Sequence, residues 1–279
     1  MQRFTAWLDK GEYTAHGEVF DVGIATRKAL QRFKQGTDPL ECGGTSENDN
    51  GNGSLMRIFP IIFCLSQFGA LLVSDYAPCY IAESECVTIA HRISSLTHAH
   101  KRSRMACGIY YAVAIQLWKS KYEKTLNSAI NYGLQAAKAR YKTGVYNEKF
   151  VKIDRESGRA KYTTEKYTEE LKHYKRLFRR DFAKLPEEEI KSTGYVVDTL
   201  EAALWCLLNT DNYKDCVLKA VNLGCDTDTV AAVAGGLAGI FYGVDGIPKE
   251  WLEKLARRDY IEKLCEDFYR SLHSYKGVE

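Results

Sequence analysis

Apolar residues recur at three- and four-residue spacing through most of this 279-residue chain, and that period constrains the fold more than any other feature. Val197, Leu200, Leu204, Leu207 and Leu208 fall on one helical face; Met105, Ile109, Ala112 and Val113 form another, and Leu252, Leu255 and Tyr260 follow the same rule near the C-terminus. Neither a βαβ alternation nor a run of period-two strands stands out, and only five prolines interrupt the pattern. The period therefore predicts an all-α fold. Glycine punctuation at Gly43-Gly44, at Gly51-Asn52-Gly53 and from Gly243 to Pro248 marks the turns.

Residues 143–192 differ in character. They are rich in Lys, Arg, Glu and Tyr, with scattered aliphatics such as Ile153, Leu171, Leu177 and Leu185. A basic docking surface is one reading; the simpler is a charged helical insertion or arm in solvent. With 45% hydrophobic residues the chain can bury a large core. The net charge of +3 gives no global case for nucleic acid. No apolar run spans a bilayer, and Met1-Gln2-Arg3-Phe4 lacks a signal peptide's apolar stretch. Nine cysteines, an odd count without a CxxC pair, fit reduced thiols in apolar stretches and a cytoplasmic protein.

Three strings carry chemistry. In Gly224-Cys225-Asp226-Thr227-Asp228-Thr229 two carboxylates and a hydroxyl stand at the mouth of a helix. Such hard oxygens suit Mg²⁺ or Mn²⁺ better than zinc, yet on these residues alone a helix N-cap explains them sufficiently. The helix that follows contains Gly235, Gly236 and Gly239, each about 1 kcal/mol worse than Ala, which makes sense where neighbours approach closely. Asp49-Asn50-Gly51-Asn52-Gly53-Ser54 lets backbone approach an anion, or is an ordinary turn; it is neither a Walker loop nor a dinucleotide fingerprint. His98 and His100 in Thr97-His98-Ala99-His100 could bind a pyrophosphate or ribose, or simply end a helix.

In order, DNGNGSLMR, LTHAH, STGYVVDTLEAALW and GCDTDTVAAVAGGLAG resemble the ADP-ribosylglycohydrolase family, including its dinitrogenase-reductase-activating branch, and FTAWLDKGEYTAHGEVFDVGIATRKAL fits as well. The resemblance implies one orthogonal, all-α domain over residues 1–279, holding two Mg²⁺ or Mn²⁺ ions and hydrolysing the N- or O-glycosidic bond between ADP-ribose and a protein side chain or small acceptor. It implies that Asp226, Asp228 and Thr229 are metal ligands, that Gly51, Asn52, Gly53 and Ser54 cradle ADP-ribose with His98 at the diphosphate, that Asp49 is the acid–base residue, and that Tyr195 edges the pocket.

Family members open with a Gly-rich helix and a TDDT-type string supplying the other metal ligands, and neither occurs here. The expectation is a chain that begins inside the family domain, lacking roughly its first quarter and half of the two-ion ligands. Such a chain would be competent with the missing segment, which a separate N-terminal fragment could supply. The competing expectations are a catalytically inactive ADP-ribose-binding or structural relative, and a scaffold docking partners through residues 143–192.

Overall fold

The computed structural model describes residues 1–65, 79–120, 125–153 and 160–274. It is all-α in its architecture. The helices bounded by described residues are α1 (Gln2–Lys10), α2 (Ile24–Lys34), α3 (Cys79–Ser95), α4 (Lys101–Ser120), α5 (Leu126–Thr143), α6 (Val196–Leu208), α7 (Tyr213–Asn222), α8 (Thr227–Tyr242), α9 (Lys249–Lys254) and α10 (Arg258–Ser274), and residues 61–65 are helical as well. No helix among the described residues is long and apolar enough to cross a membrane.

Helix α4 is the axis of the core. Its residues from Arg102 to Ile115 are buried without interruption; from Met105 onward they are almost all apolar, as in a helix enclosed by others, while Arg102, Ser103 and Arg104 in its first turn are buried polar groups. Helices α3, α5, α6 and α8 pack around it, and α7 covers α8. Local chemistry sets the ends. Thr125 caps α5 by accepting the Ser128 N–H at 3.3 Å, and Gly144, at φ 81°, closes it. Asn212 caps α7 through the Asp215 N–H at 2.8 Å. The eight cysteines whose side chains are described are all free.

Residues 143–192 depart from the charged helical arm expected of them. An antiparallel ribbon, β1 (Glu148–Ile153) and β2 (Ala160–Glu165), runs in register from Glu148↔Glu165 to Ile153↔Ala160. It carries β-branched and aromatic residues that favour strands, hidden from a periodicity search by interspersed Lys and Glu. Short 3₁₀ turns and loop follow, with their charged residues in solvent and their aromatic and aliphatic residues turned into the core. Tyr146, Tyr167, Tyr174, Leu177, Phe178 and Phe182 are buried. The Tyr174 hydroxyl donates to the Arg102 carbonyl at 2.7 Å, and the Trp205 indole N–H donates to the Leu185 carbonyl at 3.0 Å.

The root of the ribbon is pinned by buried polar groups. Glu148, 3% exposed, accepts from the Tyr167 hydroxyl and from His91 Nδ1 at 2.7 Å. That places the His91 proton on Nδ1 and leaves Nε2 to accept from the Tyr141 hydroxyl at 2.7 Å. Burial lowers the His91 pKa, which keeps the ring neutral. Arg104 pairs with Glu165 and stands 3.5 Å from Glu148.

Candidate functional site

Two isolated bridges gather the sequence motifs. The glycine loop pairs antiparallel with the strand-like entry to α6: the Asn52 N–H donates to the Gly194 carbonyl and the Val196 N–H to the Asn50 carbonyl, each at 3.0 Å. Gly44 pairs in parallel with His98, the Ala99 N–H reaching the Gly44 carbonyl at 2.9 Å. The Asp226 N–H donates to the Ser192 carbonyl at 2.9 Å, bringing the start of α8 alongside. Gly224 (φ 79°) and Cys225 (φ 57°) make the left-handed turn that aims the chain into that helix.

Asp226 occupies the N-cap position of α8, but its side chain caps nothing. Its Oδ2 accepts instead from Asn52 Nδ2 at 2.6 Å, and the same amide donates to Thr199 Oγ1 at 2.8 Å. The capping explanation open to the sequence therefore fails for Asp226. Asp228 is exposed and takes the Thr229 N–H on Oδ1 at 2.8 Å. Thr229 is buried, and its hydroxyl has only a 3.9 Å approach to Met56 Sδ. One oxygen of each carboxylate and the Thr229 hydroxyl thus lack a strong partner among the described residues, a donor set that fits a hard divalent cation.

His98 is 2% exposed and lies under the glycine loop. A Cβ on Gly53 would stand 2.9 Å from His98 Cε1, closer than side chains tolerate, so only glycine lets the loop cross the ring. Burial, then the neighbouring Arg57 guanidinium, push His98 down to about 4. Its Nδ1 lies 2.8 Å from Thr97 Oγ1, which accepts from Arg57 at 2.8 Å.

Other expected site residues are placed differently. The Ser54 side chain is buried and bonded to the Ser94 hydroxyl at 2.9 Å, with Cys107 Sγ at 3.7 Å, so it faces the core and only its backbone can meet a ligand. Asp49 closes a capping box, its Oδ2 accepting the Ser46 hydroxyl at 2.6 Å and the Ser46 N–H at 3.0 Å. Those hydrogen bonds, the hydroxyl's foremost, hold its pKa below the usual carboxylate value. Tyr195 is half-buried, and its ring faces the Arg102 guanidinium at 5.9 Å.

Glu47, His100 and Glu170 bring ligand atoms within 4.8 Å of one another. Arg102 already bonds Glu47 and Glu170, each at 2.9 Å, and this compensates the charge that would attract a metal. An apolar cavity of about 320 Å³ is lined by Phe4, Trp7, Tyr13, Met56 and Arg57, of which Met56 also meets the Thr229 hydroxyl. Sequence reasoning did not single out Thr199, Arg57 or Thr97, although all three lie within the quoted motifs; their roles depend on partners far away in the chain.

A family model described as ADP-ribosylglycohydrolase matches residues 1–276. The chain is 31% identical over 264 residues to the ADP-ribosylarginine hydrolase Tri1 of Pseudomonas putida (strain GB-1), covering 94% of this chain and 57% of that protein. It is 29% identical over 255 residues to the ADP-ribosyl-[dinitrogen reductase] glycohydrolase of Rhodospirillum rubrum, covering 91% and 64%. The chain thus spans less than two thirds of the length of these relatives. A solved structure described as an ADP-ribosylglycohydrolase-related protein complex superposes with a TM-score of 0.58 at 27% identity, covering 89% of this chain and 69% of that one. With a match along nearly its whole length and a fold to agree with it, the chain belongs to the ADP-ribosylglycohydrolase family.

Proposed function

We propose that the chain serves metal-dependent hydrolysis of the glycosidic bond between ADP-ribose and an acceptor, with ADP-ribosylated arginine on a protein as the first substrate to test. The supporting observation is the Asp226 carboxylate, which accepts from no N–H of its own helix and is held by Asn52 of the glycine loop. That contact couples the acidic turn to the loop suited to an anion.

Asp226, Asp228 and Thr229 are the ligands this chain would bring to Mg²⁺ or Mn²⁺. The bound metal would supply Lewis-acid stabilisation of oxygen charge at the ribose. The protein's own part is orientation. Asn52 fixes the angle of Asp226 and, through Thr199, ties it to the first turn of α6. In this reading the backbone N–H groups of Gly51, Gly53 and Ser54 face the diphosphate, that of Asn52 being taken by the Gly194 carbonyl, with His98 beneath and Tyr195 at the edge. Glycoside cleavage passes through an oxocarbenium-like state, in which fixed groups act mainly by placement and charge. Asp49, ionised at neutral pH, would accept a hydrogen bond from a water or ribose hydroxyl in this scheme.

The assay is release of ADP-ribose from ADP-ribosylarginine by the purified chain, with Mg²⁺, with Mn²⁺ and with chelator. Metal-dependent release that disappears in Asp228→Ala supports the reading; release that survives the substitution defeats it. One observation favours an inactive ADP-ribose-binding relative: the Asp49 carboxylate is committed to Ser46 and poorly matched to a base acting near neutrality. Calorimetric binding of ADP-ribose without turnover under any metal would favour that alternative.

A further inference from the structure

Thr97 stands between a group that can only donate and a ring whose proton has two possible seats. Arg57 Nη2 donates to Thr97 Oγ1 at 2.8 Å, and a guanidinium has no acceptor to offer in return. Arg57 is half-buried there, with the Phe4 ring 5.3 Å from the guanidinium carbon. Among the described residues the only other hydrogen-bond partner of Thr97 Oγ1 is His98 Nδ1, at 2.8 Å. The single hydroxyl proton therefore goes to Nδ1, and the ring carries its own proton on Nε2.

That second nitrogen is bonded to nothing among the described residues. It faces the glycine loop, where Cβ atoms on Gly51 and Gly53 would lie 3.5 and 3.3 Å from it. We infer that Arg57 and Thr97 are positioning residues that lock His98 as its Nε2–H tautomer, so that a neutral ring donates to a phosphate oxygen of a diphosphate ligand lying in the loop. The opposite tautomer would turn a nitrogen lone pair toward the same anionic oxygen and repel it. Ser94 reinforces the placement, its hydroxyl donating to the His98 carbonyl at 3.0 Å while contacting Ser54. The ligand half of this inference rests on the ADP-ribose reading above; the tautomer half does not.

Ring ¹⁵N shifts of the labelled chain, with His98→Gln to assign the signal, read the tautomer directly in the absence of ligand. Native His98 is expected as Nε2–H. In Thr97→Val the Nδ1 loses its donor and the signal moves toward the other tautomer, while ADP-ribose affinity measured calorimetrically falls about 5- to 10-fold, the worth of one hydrogen bond. Thr97→Ser keeps the hydroxyl and restores both readouts, which separates the relay from a packing defect. A native ring protonated on Nδ1, or ring shifts unchanged in Thr97→Val, overturns the relay. Failure of the native chain to bind ADP-ribose overturns the ligand assignment, while the ring shifts still decide the tautomer.

Discussion

Two glycines three residues apart in α8 should respond to alanine with opposite signs. At Gly236 a new Cβ would stand 2.7 Å from the Tyr110 hydroxyl and 3.0 Å from Phe59 Cδ2. Tyr110 cannot easily yield, because it is 1% exposed and its hydroxyl donates to the Val233 carbonyl at 3.2 Å. Alanine gains about 1 kcal/mol of helix propensity. Against that stand about 1–3 kcal/mol for overpacking and about 1 kcal/mol for a disturbed buried hydrogen bond. Gly236→Ala is therefore destabilising by about 1–3 kcal/mol. At Gly239 the nearest atom is Tyr213 Cε2 at 3.9 Å, ordinary contact, so the propensity gain stands alone and Gly239→Ala stabilises by up to about 1 kcal/mol. For a chain this long the two midpoints should separate by several degrees in calorimetry, at roughly 2–4 °C per kcal/mol. Because α8 begins at the acidic turn, Gly236→Ala should also weaken metal binding while Gly239→Ala leaves it intact. Equal stabilisation by both substitutions would refute the argument that close packing, not tolerance, put glycine at 236.

Other outcomes follow from the polar contacts. Asn52→Ala removes the donor to Asp226 and should cost about 1.5–3 kcal/mol, the range for a hydrogen bond to a charged group, in urea unfolding; Asn52→Asp, which faces a second carboxylate toward Asp226, should do worse. Glu148→Ala strips His91 and Tyr167 of their shared acceptor and should cost about 3–5 kcal/mol, against a smaller loss for Glu148→Gln; a cost below about 1 kcal/mol for Glu148→Ala would show that the ribbon root does not depend on it. His98, pushed down to about 4 from 6.5, binds a proton more readily when unfolded. Its contribution is therefore intact above pH 6.5 and falls as pH drops toward 4, by about 3 kcal/mol over that window. The stability–pH curve of His98→Gln should be flatter there than the native curve. Gly53→Ala, whose Cβ would press on His98 Cε1, should weaken ADP-ribose binding more than Gly51→Ala, which has 3.5 Å of room.

The helices and the ordered motifs were legible because both are written locally. A 3.6-residue period shows within a few turns of chain, and it announced α4 and α6 without knowledge of their neighbours. The ribbon of residues 148–165 was not legible. Its strands are short and thick with charge, its root is held by His91, and the turns after it are held by Arg102 and Trp205, partners that local spacing does not reveal.

For the site, the sequence by itself supplied the chemical inventory: an acidic turn before a helix, a glycine loop and a histidine at the end of α3. Local spacing could not say what each carboxylate is for, since Asp226 stands at a helix N-cap and Asp49 three residues after a serine, both places where an acid serves a helix start. The tertiary structure separated them. Asp49 does cap its own turn, through Ser46 three residues away, whereas Asp226 is drawn off its helix by Asn52, 174 residues distant in the chain. Only folding supplies a partner that remote, and that partner is why one carboxylate serves the local backbone while the other faces the glycine loop.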